Sequence, residues 1–217
     1  MKYLIAPVVA LGVGVTASTA AWARCPVSLA DAANGVYVDF GDFVVRYDRR
    51  DDGRVEELEF DTQEGTGYRY ISQHGIFLVE SQEMAFGYAG TGTFETITYD
   101  TPPPPRIEPN LTYSTNITVR FGTEQPFREP LSIVVGPEQS QLIGACRLQT
   151  LSVNMRQGPP GNEFISQFMY FVDLGMAIYI GGGTPEESPS FGPPISIDTD
   201  PPMRPLPGGP SPQQPGK

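Results

Sequence analysis

The side chains best suited to chemistry in this chain are acidic and crowded into one stretch: Asp48, Asp51, Asp52, Glu56, Glu57 and Glu59. Carboxylates that converge can hold calcium, which takes about 6 to 8 oxygen ligands. The spacing is not that of an EF-hand loop, and Arg49, Arg50 and Arg54 are interleaved. A charged face turned to solvent is therefore the expectation. Two carboxylates at a set separation could instead serve a carboxylate-dependent hydrolase, as in glycoside hydrolysis. In a strand, Glu57 and Glu59 share one face while Leu58 and Phe60 share the other.

Other chemistry is thinly represented. The single histidine, His74, lies in Ser72-Gln-His-Gly75, where the glycine predicts a tight turn and a solvated ring. A proton shuttle would need a carboxylate and a substrate pocket beside it. One histidine and no free thiol make an ordinary zinc site improbable. There is no Gly-x-Ser-x-Gly elbow and no Ser-x-x-Lys. The glycine-rich pieces Gly87-Tyr-Ala-Gly90-Thr-Gly92 and Gly181-Gly-Gly183 lack the Lys-Ser/Thr ending of a phosphate loop. No catalytic residue, metal or cofactor is expected, and the chain reads as a non-enzyme.

The two cysteines, Cys25 and Cys146, must be read with the N-terminus. Lys2, the uncharged apolar run Leu4 to Ala17 and the A-x-A site Ala21-Trp22-Ala23 have the form of a cleavable signal peptide over 1–23. The cut falls after Ala23, leaving Arg24 first. Arg24 also occupies the position before Cys25 where a lipoprotein signal needs a small residue, so lipidation is not expected. In an oxidising compartment two cysteines favour one bridge. It closes a loop worth about 4 to 5 kcal/mol in the chain-entropy model. The expected location is periplasmic or secreted, and no later segment is long and apolar enough to be a membrane-spanning helix.

Residues 24–181 hold 11 arginines and 21 acidic residues, a balance near −10. Such a surface repels nucleic acid, so no nucleic-acid partner is expected. Thr101-Pro-Pro-Pro-Pro105-Arg-Ile-Glu-Pro109 is a stiff extended spacer at 101–109, either a crossover within one fold or a linker between subdomains. Residues 182–217 hold 11 prolines and 6 glycines and predict a disordered Pro/Gly-rich tail, in which only Phe191 to Ile197 could dock back or meet a partner.

Between these landmarks the hydrophobic period is 2. Leu111, Tyr113, Ile117, Val119 and Phe121 alternate with Thr112, Ser114, Asn116, Thr118 and Arg120. Asp48 to Gly53 separates two such runs and predicts a hairpin. Further strands are expected near 36–40, 67–72, 76–80, 94–99, 131–135, 147–155, 163–171 and 176–180. Ser28-Leu-Ala-Asp31 resembles a capping box opening one helical turn to Ala33, with Gly35 ending it. The run Glu163 to Phe171 is apolar on both sides: Phe164, Phe168 and Tyr170 on one, Ile165, Met169 and Phe171 on the other. Such a strand lies inside a sandwich or has one face covered. Core packing is the simpler account, and a wall facing an apolar ligand is the best functional lead. Tyr70-Ile-Ser-Gln73 and Phe164-Ile-Ser-Gln167 also echo one another.

The early cysteine, the acidic β-rich body, Ile143-Gly-Ala-Cys146-Arg-Leu and Tyr170-Phe-Val-Asp-Leu-Gly175 together resemble a group of uncharacterised exported proteins of alphaproteobacteria. Phe171-Val172-Asp173 departs from that pattern by lacking a proline. The same ending resembles envelope proteins built as curved half-barrels, like the lipoprotein carriers. These resemblances imply a location and an architecture. The expectation is an all-β protein, an antiparallel sandwich or curved half-barrel with one short N-terminal helical turn. A single domain spans 24–181. It binds an unknown envelope protein or an apolar ligand, with Phe164, Phe168, Tyr170 and Met169 as the candidate ligand face. The alternatives are an interaction protein that works through its tail, or the carboxylate hydrolase.

Overall fold

The computed structural model describes residues 24–41, 43–61, 66–85, 88–185 and 192–201. The expected signal segment 1–23, Gly87, Phe191 and the end of the tail lie outside these. The short helix forms as its capping residues dictate. In α1 (Leu29–Ala33), Ser28 is the N-cap and accepts from the Asp31 N–H, while its hydroxyl donates to Asp31 Oδ2 at 2.8 Å. Val27 N–H donates to the same oxygen at 2.9 Å. These bonds, the Val27 one foremost, hold the Asp31 carboxyl below its ordinary range. Gly35, at φ +98°, turns the chain away.

Among the described residues twelve strands follow, all paired antiparallel in one sheet. They are β1 (Val36–Asp39), β2 (Val44–Arg49), β3 (Arg54–Asp61), β4 (Thr66–Gln73), β5 (Phe77–Ala85) and β6 (Tyr88–Tyr99). Next come β7 (Thr112–Phe121), β8 (Phe127–Ile143), β9 (Cys146–Gln157), β10 (Phe164–Phe171), β11 (Met176–Gly183) and β12 (Ser196–Asp198). β1 to β11 run as a meander in chain order, and β12 returns to cover the outer edge of β1. In β7 the predicted alternation appears as buried Ile117 and Val119 with Arg120 exposed.

The expected hairpin at 48–53 joins β2 to β3, with Gly53 at φ +83°. The β4–β5 turn is tighter. His74 and Gly75 both have positive φ, 60° and 75°, and Ile76 N–H closes onto Gln73 O at 3.1 Å. This is the type I′ geometry that matches the twist of the strands. The turn abuts β11: Ala177 N–H donates to His74 O at 2.8 Å, and a Cβ on Gly75 would sit 2.3 Å from Ala177 O. Gly75→Ala combines a left-handed backbone with a backbone clash, so it is expected to destabilise by about 3 kcal/mol or more, read as a lower urea midpoint. An unchanged midpoint would show that β11 does not press on this turn.

The proline segment is a long hairpin loop within one sheet, neither a crossover nor a linker between subdomains, because β6 and β7 are direct antiparallel neighbours with Tyr99 opposite Ile117. Ile107 plugs into the core at 7% exposure. Pro104 O lies 3.1 Å from His74 Nε2. The ring expected in solvent is thus half-buried, and burial lowers its pKa. The neutral ring can donate from Nε2 to that carbonyl.

The sheet rolls until its ends overlap. Val36 and Val38 (β1), Val45 and Tyr47 (β2) and Val55 (β3) pack in one cluster with Met169 and Phe171 (β10) and Met176 and Ile178 (β11). The opposite face of the same two strands, Phe168, Tyr170 and Ala177, packs in a second cluster with Ile97, Ile117, Val119, Leu131, Ile133, Leu151 and Val153. The β10–β11 hairpin is therefore tucked inside the roll, which explains why its strands are apolar on both sides. Each buried aliphatic side chain contributes about 1.5 to 3 kcal/mol.

Cys25 and Cys146 are joined, with their Cα atoms 5.4 Å apart. The bridge fastens the segment before α1 to the start of β9, where Cys146 packs with Ala32 and Ile197. Arg24 N donates to Asp198 Oδ1 at 3.1 Å, and Thr199 N–H donates to Arg24 O at 3.1 Å. The tail boundary expected at 182 moves accordingly. Gly182 and Gly183 complete β11, and Ser196–Asp198 pairs with β1 because Ile197 is fully buried beneath it. The tail reading of 202–217 falls outside the described residues. Among the described residues, no helix is long and apolar enough to cross a membrane.

Candidate functional site

Cross-strand register builds one polar row on the concave face. Glu57 on β3 stands opposite Tyr70 on β4, Tyr70 opposite Ser81 on β5, and Ser81 opposite Glu95 on β6. Ser81 Oγ donates to Glu95 Oε2 at 2.9 Å. Side chains in such a row are near neighbours, since paired residues on one face sit about 4.5 to 5.5 Å apart. Facing this row are strands from the other half of the meander, and between the two lies a cavity of about 450 Å³. Small-molecule sites are typically about 300 to 1,000 Å³. Glu57, Glu59, Tyr70, Ser72 and Glu95 form its polar wall. Leu78, Ile97, Leu131, Met155, Phe164 and Phe168 form its apolar wall.

The carboxylates in this cavity are in an unusual state. Glu57 is half-buried and lines the cavity. Burial, reinforced by the neighbouring charge of Glu59, pushes its carboxyl up to about 8. Tyr47 O–H donates to Glu57 Oε1 at 3.1 Å. Burial also raises Glu59, which takes a long 3.5 Å contact from the Tyr70 hydroxyl. The phenols of Tyr47 and Tyr70 are raised by burial and then by the two carboxylates. Near neutrality Glu57 is mostly protonated and can donate as well as accept. Among the described residues lining the cavity there is no Lys, Arg or His.

The outer face of the same strands behaves as acidic surfaces usually do. Arg50 pairs with Glu56 at 2.7 Å, and Arg69 bridges Glu56 and Glu80 across the buried Ile71. Arg46–Asp48 and Arg54–Asp52 are also paired. Burial opposes it, but hydrogen bonds from Arg69 and Arg50 hold Glu56 below its ordinary range. The solvated charged face expected from the sequence is thus half right in place. Asp48, Asp52 and Glu56 form it, while Glu57 and Glu59 turn inward. The cause is register: Val55, Glu57 and Glu59 share a face, and Val55 is fully buried in the core.

The aromatic ligand face divides. Phe164 and Phe168 line the cavity. Tyr170 is on the same side but deeper, opposite Leu151 in the core. Met169 points the other way, into the overlap with β1–β3. The echo in sequence has a spatial counterpart: Tyr70 and Ser72, and Phe164 and Ser166, all line this one cavity. Sequence reasoning missed Tyr70 and Glu95 as site residues; the period-2 pair Tyr68 and Tyr70 opposite Glu59 and Glu57 was the available signal.

For hydrolysis, an acid and its partner flank the scissile bond at about 5 to 10 Å. Glu57 and Glu59 stand side by side on one strand. Glu95 is three strands away, about 14 Å along the sheet at ~4.8 Å per strand. Among the described residues no group of three or more His, Cys, Asp or Glu could hold a metal.

The fold and cavity define a class, an open rolled antiparallel sheet around a chamber with one carboxyl wall and one apolar wall. Comparison with family models, curated proteins and solved structures gave no match.

Proposed function

We propose that this chain is a non-enzymatic binding protein of the cell envelope that takes an apolar ligand into the cavity of its rolled sheet. The observation that carries this reading is the 450 Å³ cavity with Phe164, Phe168, Leu131 and Met155 along one side. A core strand needs no such space, since interiors pack to crystal density with few voids larger than a water molecule. The disulfide, the signal-like N-terminus and the resemblance to half-barrel lipoprotein carriers support an oxidising, periplasmic location.

A neutral fluorescent probe, N-phenyl-1-naphthylamine, is expected to brighten on binding the purified chain without its signal segment. A straight-chain C12 alcohol should displace it with micromolar affinity. Met155→Trp, which fills the chamber from its apolar wall, should abolish uptake while far-UV circular dichroism stays unchanged. Absence of uptake by the wild type, or uptake that survives the filled chamber, counts against the reading.

A further inference from the structure

We infer that the ligand carries a cationic amino group, seated against Glu57 and Glu59, with its apolar chain lying along Phe164 and Phe168. This rests on the reading of the cavity as an apolar-ligand site and names the polar end of that ligand.

The argument is one of missing charge. Buried carboxylates are tolerated when paired with a cation or when protonated. On the outer face of β3 and its neighbours, Glu56 has two arginines and Glu80 shares one of them. On the inner face, Glu57 and Glu59 have, among the described residues, the hydroxyls of Tyr47 and Tyr70 as partners. Glu95 adds a third carboxyl to the same chamber, held by Ser81. The chain has 11 arginines in its body and sends none of them to this wall. An ammonium group would supply the absent partner, with charge-assisted hydrogen bonds of the stronger kind. An anionic headgroup in that seat would meet Glu57 and Glu59 and, among the described lining residues, no cation. Tyr70 belongs to the polar wall of the chamber, and Phe164 and Phe168 belong to its apolar wall. Chamber and polarity thus fit a single-chain amphiphile better than a wholly apolar molecule.

The groups facing Glu57 are Glu59 on its own strand, Tyr47 from β2, Tyr70 from β4 and Tyr179 from β11. None is cationic, so a bound ammonium would favour the ionised carboxyl and displace its proton. Near neutrality, binding should release up to about one proton per ligand.

The test compares dodecylamine, dodecanol, dodecanoate and lyso-phosphatidylethanolamine as displacers of the neutral probe at pH 7. The amine is expected to bind at least tenfold more tightly than the alcohol, with dodecanoate weakest. Calorimetry of the amine in two buffers of different ionisation enthalpy should reveal the released proton. Glu57→Gln/Glu59→Gln should remove the preference for amine over alcohol and the proton release, with thermal unfolding verifying the fold. If lyso-phosphatidylethanolamine exceeds dodecylamine, the ammonium belongs to a lipid headgroup, and the inference holds. If alcohol, amine and dodecanoate bind alike, the inference fails and the binding function stands. If none binds, both fail.

Discussion

Replacing Cys25 and Cys146 together by alanine is expected to lower stability by about 4 to 5 kcal/mol in urea unfolding. The bridge spans 121 residues of sequence, and the chain-entropy model assigns roughly that value to a loop of this size. The effect arises mainly in the unfolded chain, which gains freedom once the link is gone. A local effect should accompany it. The bridge holds Arg24 where it meets Asp198 and Thr199, so amides of β12 and β1 should lose hydrogen-exchange protection before those of β8 and β9. A loss below about 1 kcal/mol, with β12 still protected, would mean that the overlap of the sheet ends holds without the link.

Stability should also fall as pH rises from about 4.5 to about 8, opposite to the usual behaviour of a carboxylate. The Glu57 carboxyl is raised from 4.5 to about 8 in the folded chain. Across that window the native state keeps a proton that the unfolded chain has released. Stability is therefore full below the unfolded value and lost progressively as pH approaches the folded one. The slope reaches about 1.4 kcal/mol per pH unit, for a total of a few kcal/mol. Glu59 is shifted in the same direction and adds to it. Asp31, Asp52 and Glu56 are lowered and act the other way, but only under more acidic conditions, as they become protonated. Glu57→Gln should flatten the profile: its melting temperature should match the wild type near pH 4.5 and exceed it at pH 8. Parallel melting curves for the two proteins across this range would show that Glu57 ionises freely in the fold.

The local part of this architecture was legible in the chain. Alternation along 111–121, the Asp52-Gly53 and His74-Gly75 turns and the Ser28–Asp31 cap each depend on residues a few positions apart, and each appears where its chemistry places it. The bridge was legible because two cysteines allow only one intramolecular pairing. The direction of curl was not. Whether Glu57 or Leu58 faces inward depends on which face of β3 meets β10 and β11, more than a hundred residues later. Polarity pointed to the wrong face for Glu57 and Glu59 because the chamber, itself a non-local product, provides room for them. β12 was half legible: Phe191 to Ile197 stood out as the segment able to dock back, but its strand did not. The composition of 182–217 averages over many prolines and glycines, whereas the docking depends on Ile197, a three-residue ladder and the bonds to Arg24 and Asp39. The two-sided strand at 164–171 was recognised, but the element covering its second face, the first three strands, is joined to it by no local signal.

The hydrogen bond from Arg24 N to Asp198 Oδ1 bears on maturation. Scission after Ala23, where the A-x-A pattern puts it, turns the backbone amide of Arg24 into a free α-amino group. That group is mostly protonated at neutral pH, with an ordinary pKa of about 7.7 to 8. The donor to the Asp198 side chain would then carry a formal charge of its own, adding a Coulombic attraction to the existing bond. If the chain is cut there, processing would add that attraction to a clasp on β12 that is already closed.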